Sequence, residues 1–125
     1  MTIDNNLLSE LLEQAEANPR RRQNYDMRTS DSDTSQRMLN ALLPGTQVPI
    51  HKHDDTCETV ICLSGRLDQV LYEKNGDNWR ETKRMHINPS LGIFGCQVPK
   101  GAWHTVEVFE PSVIFEAKDG AYEPK

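Results

Sequence analysis

No stretch of this sequence approaches the ~20 consecutive apolar positions of a membrane-spanning helix. No apolar segment ahead of a small-residue cleavage site stands near its start either, so a cytoplasmic protein without a membrane partner is expected. There is no CxxC pair. The cysteines are three, Cys57, Cys62 and Cys96, and an odd count argues against a disulfide framework and for a reducing compartment. Basic excess is also missing. With a formal net charge of -5, the chain has nothing to gain from a phosphate backbone, and nucleic acid is not an expected partner. Its one basic cluster, Arg20-Arg21-Arg22, is short enough to be a solvated linker or a local anion site. Hydrophobic residues make up 36% of the 125, which is low for a globular domain. Runs such as TVICL and SVIFEA nevertheless exclude disorder over most of the chain, and the length permits one hydrophobic core.

What is present begins with a helix. In residues 4–17, DNNLLSELLEQAEA, the side chains of Leu7, Leu8, Leu11, Leu12 and Ala15 fall on one face at a period of 3.6. Asp4, Asn5 or Asn6 can cap its start, and Asn18-Pro19 stops it. This helix should pack on the main body or on a second subunit; one helix is too little for a helix-turn-helix reader. Residues 19–35 are polar and turn-rich. They read as a surface arm, or as an arm that folds over a binding mouth and offers Arg22, Asn24 or Arg28 to a polar ligand. Together, residues 1–35 form an N-terminal helix and arm, and residues 36–125 form the main domain.

From Gln36 onward, short apolar or alternating segments recur, separated by turn signals at Pro44-Gly45, Asp54-Asp55, Ser64-Gly65, Asn75-Gly76, Asn88-Pro89, Lys100-Gly101 and Glu110-Pro111. QRMLNALL, TQVPIHKH, ETVICLS, RLDQVLYEK, WRETKRMHI, LGIFGCQV, HTVEVFE and SVIFEAK make eight such segments with no helix between them, the pattern of an all-β sandwich or barrel. Asn75-Gly76 is a strong hairpin signal.

The chemistry concentrates in HKHDDTCE, residues 51–58. On a strand, positions i and i+2 share a face, so His51 and His53 project together. Asp54-Asp55 turns the chain, and Glu58 can return its carboxylate beside the two imidazoles on a neighbouring strand, with Glu58, Val60 and Cys62 facing inward. His104 follows the tight turn at Pro99-Lys100-Gly101 and can complete a set of three imidazoles and one carboxylate. Such a set suits one divalent first-row metal ion such as Zn, Fe, Mn or Ni. Four ligands can close a structural site or leave positions open for water or substrate.

These residues resemble the cupin superfamily. Its first motif, G-x5-H-x-H-x3,4-E-x6-G, is matched by Gly45, His51, His53, Glu58 and Gly65. Its second, G-x5-P-x-G-x2-H-x3-N, is matched at Pro99, Gly101 and His104; Gly92 stands one residue too early, and Val108 replaces the final Asn. The departures touch turn positions and spare the ligands. The resemblance implies a double-stranded β-helix, or jelly roll, in agreement with the strand count. More narrowly, the leading helix, the arm, QRMLNALLPG, PKGAWHTVEVFEP and the tail FEAKDGAYEPK look like the WbuC family of cupin-fold metalloproteins. That resemblance implies an association with bacterial surface polysaccharide but no established reaction.

Other residues carry weaker signals. Gln36 and Arg37 open the first core segment, and one of them must face inward, to bind substrate or to bond backbone. Glu116 and Lys118 share a face, as a solvent-facing ion pair or as an acid–base pair near the mouth. Tyr122 could cover an opening. Trp103 should face away from the His104 side, toward packing or a subunit contact. Cys62 reads as an apolar filler, and His86 as a solvated or capping histidine with no acidic or histidine partner at ligand spacing. Three functions remain open: a metal-dependent sugar isomerase or epimerase with Glu116 as candidate base, or a dioxygenase; a non-catalytic binder of a small carboxylate- or hydroxyl-bearing ligand; and a protein with a purely structural metal. A homodimer is the expectation for a cupin of this size.

Overall fold

The structure is a computed structural model and describes residues 1–120. Its helix α1 spans Asn5–Ala17. The Asp4 carboxylate accepts the Leu7 amide at 2.9 Å and caps the first turn. Strand β1 is Arg22–Asp26, β2 is Ser35–Leu42, β3 is Glu58–Asn75, β4 is Asn78–Ile87, β5 is Gly95–Val98 and β6 is Trp103–Asp119. The strand order is β1-β2-β6-β3-β4, with β5 added to β3, and every pairing is antiparallel.

Six strands do the work of about eight because β3 and β6 each bend and run on. Their mutual register shifts between Cys62 and Leu67. Gly65 sits at that bend with φ 107, in backbone that only glycine adopts without strain. A Cβ there would also lie 2.6 Å from the Pro111 carbonyl oxygen on β6. Opposite, the Ser112 hydroxyl accepts the Arg66 amide at 3.0 Å and donates to the Glu110 carbonyl at 2.7 Å, so the bulge is hydrogen-bonded through. ETVICLS and RLDQVLYEK are therefore two halves of one strand, as are HTVEVFE and SVIFEAK. The two curled layers enclose Leu42, Val60, Cys62, Leu67, Ile87, Val108 and Ile114. The result is the all-β jelly roll with one N-terminal helix that the sequence leads one to expect.

Strand β2 explains why MLNALL is apolar almost throughout. Met38 and Leu42 point into the barrel, while Leu39, Ala41 and Leu43 point outward and are covered by Leu11 and Ala15 of α1. The helix packs on its own chain. The hairpin between β3 and β4 is also where the sequence puts it, with Gly76 at φ 63, although Asn75 pairs with Asn78 and the two-residue loop is Gly76-Asp77.

One expectation is sharpened and one needs correction. The arm includes an edge strand: Arg22–Asp26 pairs with β2, and Arg28 and Asp33 tie down the loop that follows. The Asp33 carboxylate accepts from the Thr29 amide at 3.1 Å, the Ser35 amide at 2.9 Å and the Arg37 guanidinium at 3.1 Å, which together hold its pKa well below the usual carboxylate range. TQVPIHKH, in turn, is not a strand. Only His51 makes an isolated bridge, to His104; Pro49 removes a ladder donor next to it. Among the described residues, no helix is long and apolar enough to cross a membrane.

Candidate metal centre

His104 lies near the start of β6, where strand alternation turns its ring inward; it is among the most completely buried side chains of the chain. His51 and His53 come from the segment ahead of β3. Reciprocal backbone bonds hold that segment in place: the His51 amide donates to the His104 carbonyl at 3.1 Å, and the His104 amide to the His51 carbonyl at 2.8 Å. Beyond them, the Gly101 amide donates to the His53 carbonyl at 2.7 Å, which ties the PKG turn to the same segment. The i, i+2 spacing of His51 and His53 thus brings both rings to one side without a regular strand.

The imidazoles converge. Ring centroids are 4.2 Å apart for His51 and His104, 5.3 Å for His51 and His53, and 5.4 Å for His53 and His104. One nitrogen from each lies within 4.8 Å of the others, which is a group that could hold a metal ion. The tautomers are set from behind. His51 Nδ1 is 2.8 Å from the Pro49 carbonyl and His104 Nδ1 is 2.8 Å from the Ala102 carbonyl. A carbonyl can only accept, so each Nδ1 carries the proton and each Nε2 presents a lone pair to the centre. This is the arrangement by which an outer hydrogen bond orients a ligating histidine. His53 Nε2 is buried and makes no hydrogen bond among the described residues.

Glu58 begins β3 and is buried. One carboxylate oxygen lies 3.3 Å from His53 Nε2 and the other 3.9 Å from His104 Nε2. The tight cluster is the three histidines, with Glu58 against two of them. Neutral imidazoles beside a carboxylate, in a buried setting, fit a divalent transition-metal ion.

The centre opens onto a cavity of about 50 Å³ inside the barrel. Gln36, Asn40, Gln69, Glu116 and Lys118 contribute to its wall, as do Arg20, Arg22 and Asn24 near β1. Gln36 is the inward member of the Gln36–Arg37 pair. Arg37 is a correction: its guanidinium donates to the Ser35 and Met27 carbonyls at 2.7 and 3.2 Å and pairs with Asp33, on the outside of β2 and away from the cavity. Neighbours on a strand face opposite ways, so only one of the two could reach the interior. Glu116 is not a solvent-facing acid. It is buried, and the Asn40 amide donates to its carboxylate. Lys118, two residues on, is half-buried on the same wall. Tyr122 lies outside the described residues.

Trp103 turns away from the centre, packing 5.1 Å from Trp79 with the Lys52 ammonium 4.8 Å above its ring. His86 is exposed as expected, yet it has an acidic partner: its Nδ1 lies 2.7 Å from the buried Asp68 carboxylate, which pairing of β3 with β4 places opposite it. Burial pushes the thiols of Cys62 and Cys96 up to about 11, in keeping with the reading of Cys62 as an apolar filler. Sequence reasoning missed Asn40 and Gln69. Asn40 leaves a signal, being the one polar residue inside MLNALL.

No curated protein matches the chain. Several solved structures resemble it at a level of identity that shows the fold alone. CapF, a capsular polysaccharide assembling protein from Staphylococcus aureus, is 18% identical with a TM-score of 0.59, over 72% of this chain and 24% of CapF. An oxalate decarboxylase from Bacillus subtilis with Mn(II) centres is 21% identical with a TM-score of 0.57, over 82% of this chain and 26% of the enzyme. The cupin domain of Cnp3 from Schizosaccharomyces pombe is 11% identical with a TM-score of 0.58, over 79% of this chain and 64% of that domain. The chain thus spans about a quarter of the length of the first two. Its fold is that of the cupins, and, with a family model matching residues 3–85, the chain belongs to the family described as a domain of unknown function (DUF6016).

Proposed function

We propose that this protein binds one divalent transition-metal ion on His51, His53 and His104, with Glu58 beside them, and uses it on a small polar substrate. The observation that carries this reading is the convergence of three imidazole nitrogens whose rings are oriented from behind by backbone carbonyls. A divalent ion so held would polarise a substrate oxygen and lower the pKa of a bound water. The cavity beside the histidines supports an open centre over a purely structural one, and a jelly roll with its own apolar core needs no metal clamp.

The reaction class we favour is isomerisation or epimerisation of a small hydroxylated molecule. Glu116 is positioned to accept a proton: it is buried on the cavity wall, and Asn40 fixes its orientation. Lys118 places a cation two residues away, where negative charge on the substrate would be met. A link to surface polysaccharide is in keeping with the WbuC resemblance and with the naming of CapF. A homodimer in the cytoplasm completes the reading; exposed Ile61, Leu91, Ile93 and Phe94 supply apolar surface for one.

The test begins with elemental analysis of protein purified without chelator or metal-affinity resin, beside a His51→Ala/His53→Ala control. One equivalent of Zn, Fe, Mn or Ni that is lost in the control is expected. Deuterium incorporation from D2O into short polyhydroxy acids and aldoses is then followed by NMR, and Glu116→Gln should abolish it while keeping the metal. Absence of metal, even after incubation with each ion, would sink the reading. Oxygen uptake without deuterium exchange would replace the isomerase by a dioxygenase, and neither reaction would leave a ligand-binding protein.

A further inference from the structure

Two acceptors in the cavity have no donor among the described residues. Asn40 Oδ1 and Gln36 Oε1 are buried and make no hydrogen bond to those residues, and both side chains line the cavity. The orientation of Asn40 is not arbitrary. Its amide nitrogen must face the Glu116 carboxylate, which can only accept from it, so the carbonyl oxygen faces elsewhere. Gln36 lies on the same inward face of β2, four residues away and opposite Lys118. A buried acceptor left unmatched loses its water without gaining a donor, so sites of this kind select ligands that donate. The donors a small molecule brings most simply are hydroxyl groups.

Charge gives the other half. The wall carries Arg20, Arg22 and Lys118 against the carboxylates of Glu58 and Glu116, and a divalent ion on the histidines would add to the positive side. Arg22 lines the cavity, and its guanidinium also donates to the Gln47 carbonyl at 3.0 Å, which limits its movement. A positive enclosure in low dielectric favours an anion. Size sets the limit. About 50 Å³ is room for roughly four waters, so the enclosed part of a ligand is only a few heavy atoms.

We propose that the ligand is a small polyhydroxy acid, with hydroxyl groups on Asn40 and Gln36 and its acid group toward Arg22 and Lys118. This rests on the reading of the cavity as the working site and narrows its substrate class. Three probes separate its parts: glycerate has the acid and the hydroxyls, propionate has the acid alone, and glycerol has the hydroxyls alone. Isothermal titration into the wild-type protein, as purified and after treatment with chelator, should show glycerate binding at least tenfold more tightly than either of the others. Gln36→Met, which keeps the shape of the side chain and removes its acceptor, should bring glycerate to within threefold of propionate. Arg22→Gln should weaken glycerate and propionate together and leave glycerol unchanged.

Equal binding of glycerate and propionate, equal binding of glycerate and glycerol, or no binding of any probe would overturn the assignment. The metal content of each preparation is read separately. A protein that holds metal but shows no preference for glycerate refutes this inference alone; one that prefers glycerate without holding metal refutes the metal reading alone.

Discussion

His53→Ala should abolish metal-dependent stabilisation while leaving the folded protein nearly as stable as before. Among the three clustered histidines, His53 lies in no strand and no backbone bridge, and its side chain is 18% exposed. Its removal leaves no large cavity, so the cost without metal should stay within about 1 kcal/mol. With metal the difference becomes large. An ion that binds only the folded state adds about 2.7 kcal/mol when supplied at 100 times its dissociation constant. Unfolding entropy near 2.1 cal/mol/K per residue amounts to roughly 0.26 kcal/mol/K for a chain of this length, so wild type should gain about 10 °C in Tm. Differential scanning fluorimetry of chelator-treated protein, with Mn, Fe, Ni and Zn added singly, measures both quantities. Since imidazole must be neutral to ligate, the gain should shrink as the pH is lowered. An unchanged Tm for wild type with every ion, or the same gain in His53→Ala, would refute the reasoning.

Two further outcomes follow from the barrel itself. Gly65→Ala should destabilise by about 3 kcal/mol and lower Tm by roughly 10 °C, because the residue holds φ 107 and a Cβ would meet the Pro111 carbonyl; a loss under 1 kcal/mol in urea titration would contradict the bend described here. With thiols at about 11, Cys62 and Cys96 are thiolate in only about one molecule in a thousand at pH 8, whereas Cys57 is exposed. Iodoacetamide should therefore label the native chain once and quickly, Cys57→Ser should remove that label, and raising the pH toward 11 should speed the other two; fast labelling of three sites at pH 8 would count against the packing.

How much of this was legible in the sequence depended on whether a residue's role was local. The helix was, since its caps and its 3.6 period lie within residues 4–18. The clustered histidines were legible because two of them are two positions apart and the third follows a Pro-x-Gly turn. Strand β1 was not, since Arg22, Gln23, Asn24 and Asp26 carry no alternation of apolar and polar; its place comes from pairing with β2. Nor could sequence divide Gln36 from Arg37. One faces the cavity and the other the Asp33 loop, and only the register of β2 against β6 decides which. Nor could sequence choose between a surface ion pair and an inward acid for Glu116; its burial and the amide of Asn40, far off in the chain, decide it. The Asp68 partner of His86 came from pairing between β3 and β4, a contact that no local pattern records.

The reciprocal backbone bonds between His51 and His104 have a consequence for how this protein could change. They fix the Cα positions of two of the clustered histidines relative to each other by main-chain atoms alone, and the Gly101 amide ties His53 to the neighbouring turn. The frame therefore does not depend on which side chains it carries. Exchanging a histidine for aspartate, glutamate or cysteine at these positions would alter the donor atoms offered to an ion while leaving the scaffold that presents them intact. On the proposed reading of the site, preference among ions and the stability of the barrel become separable properties, and a descendant of this chain could change the ion it favours by single substitutions at these positions.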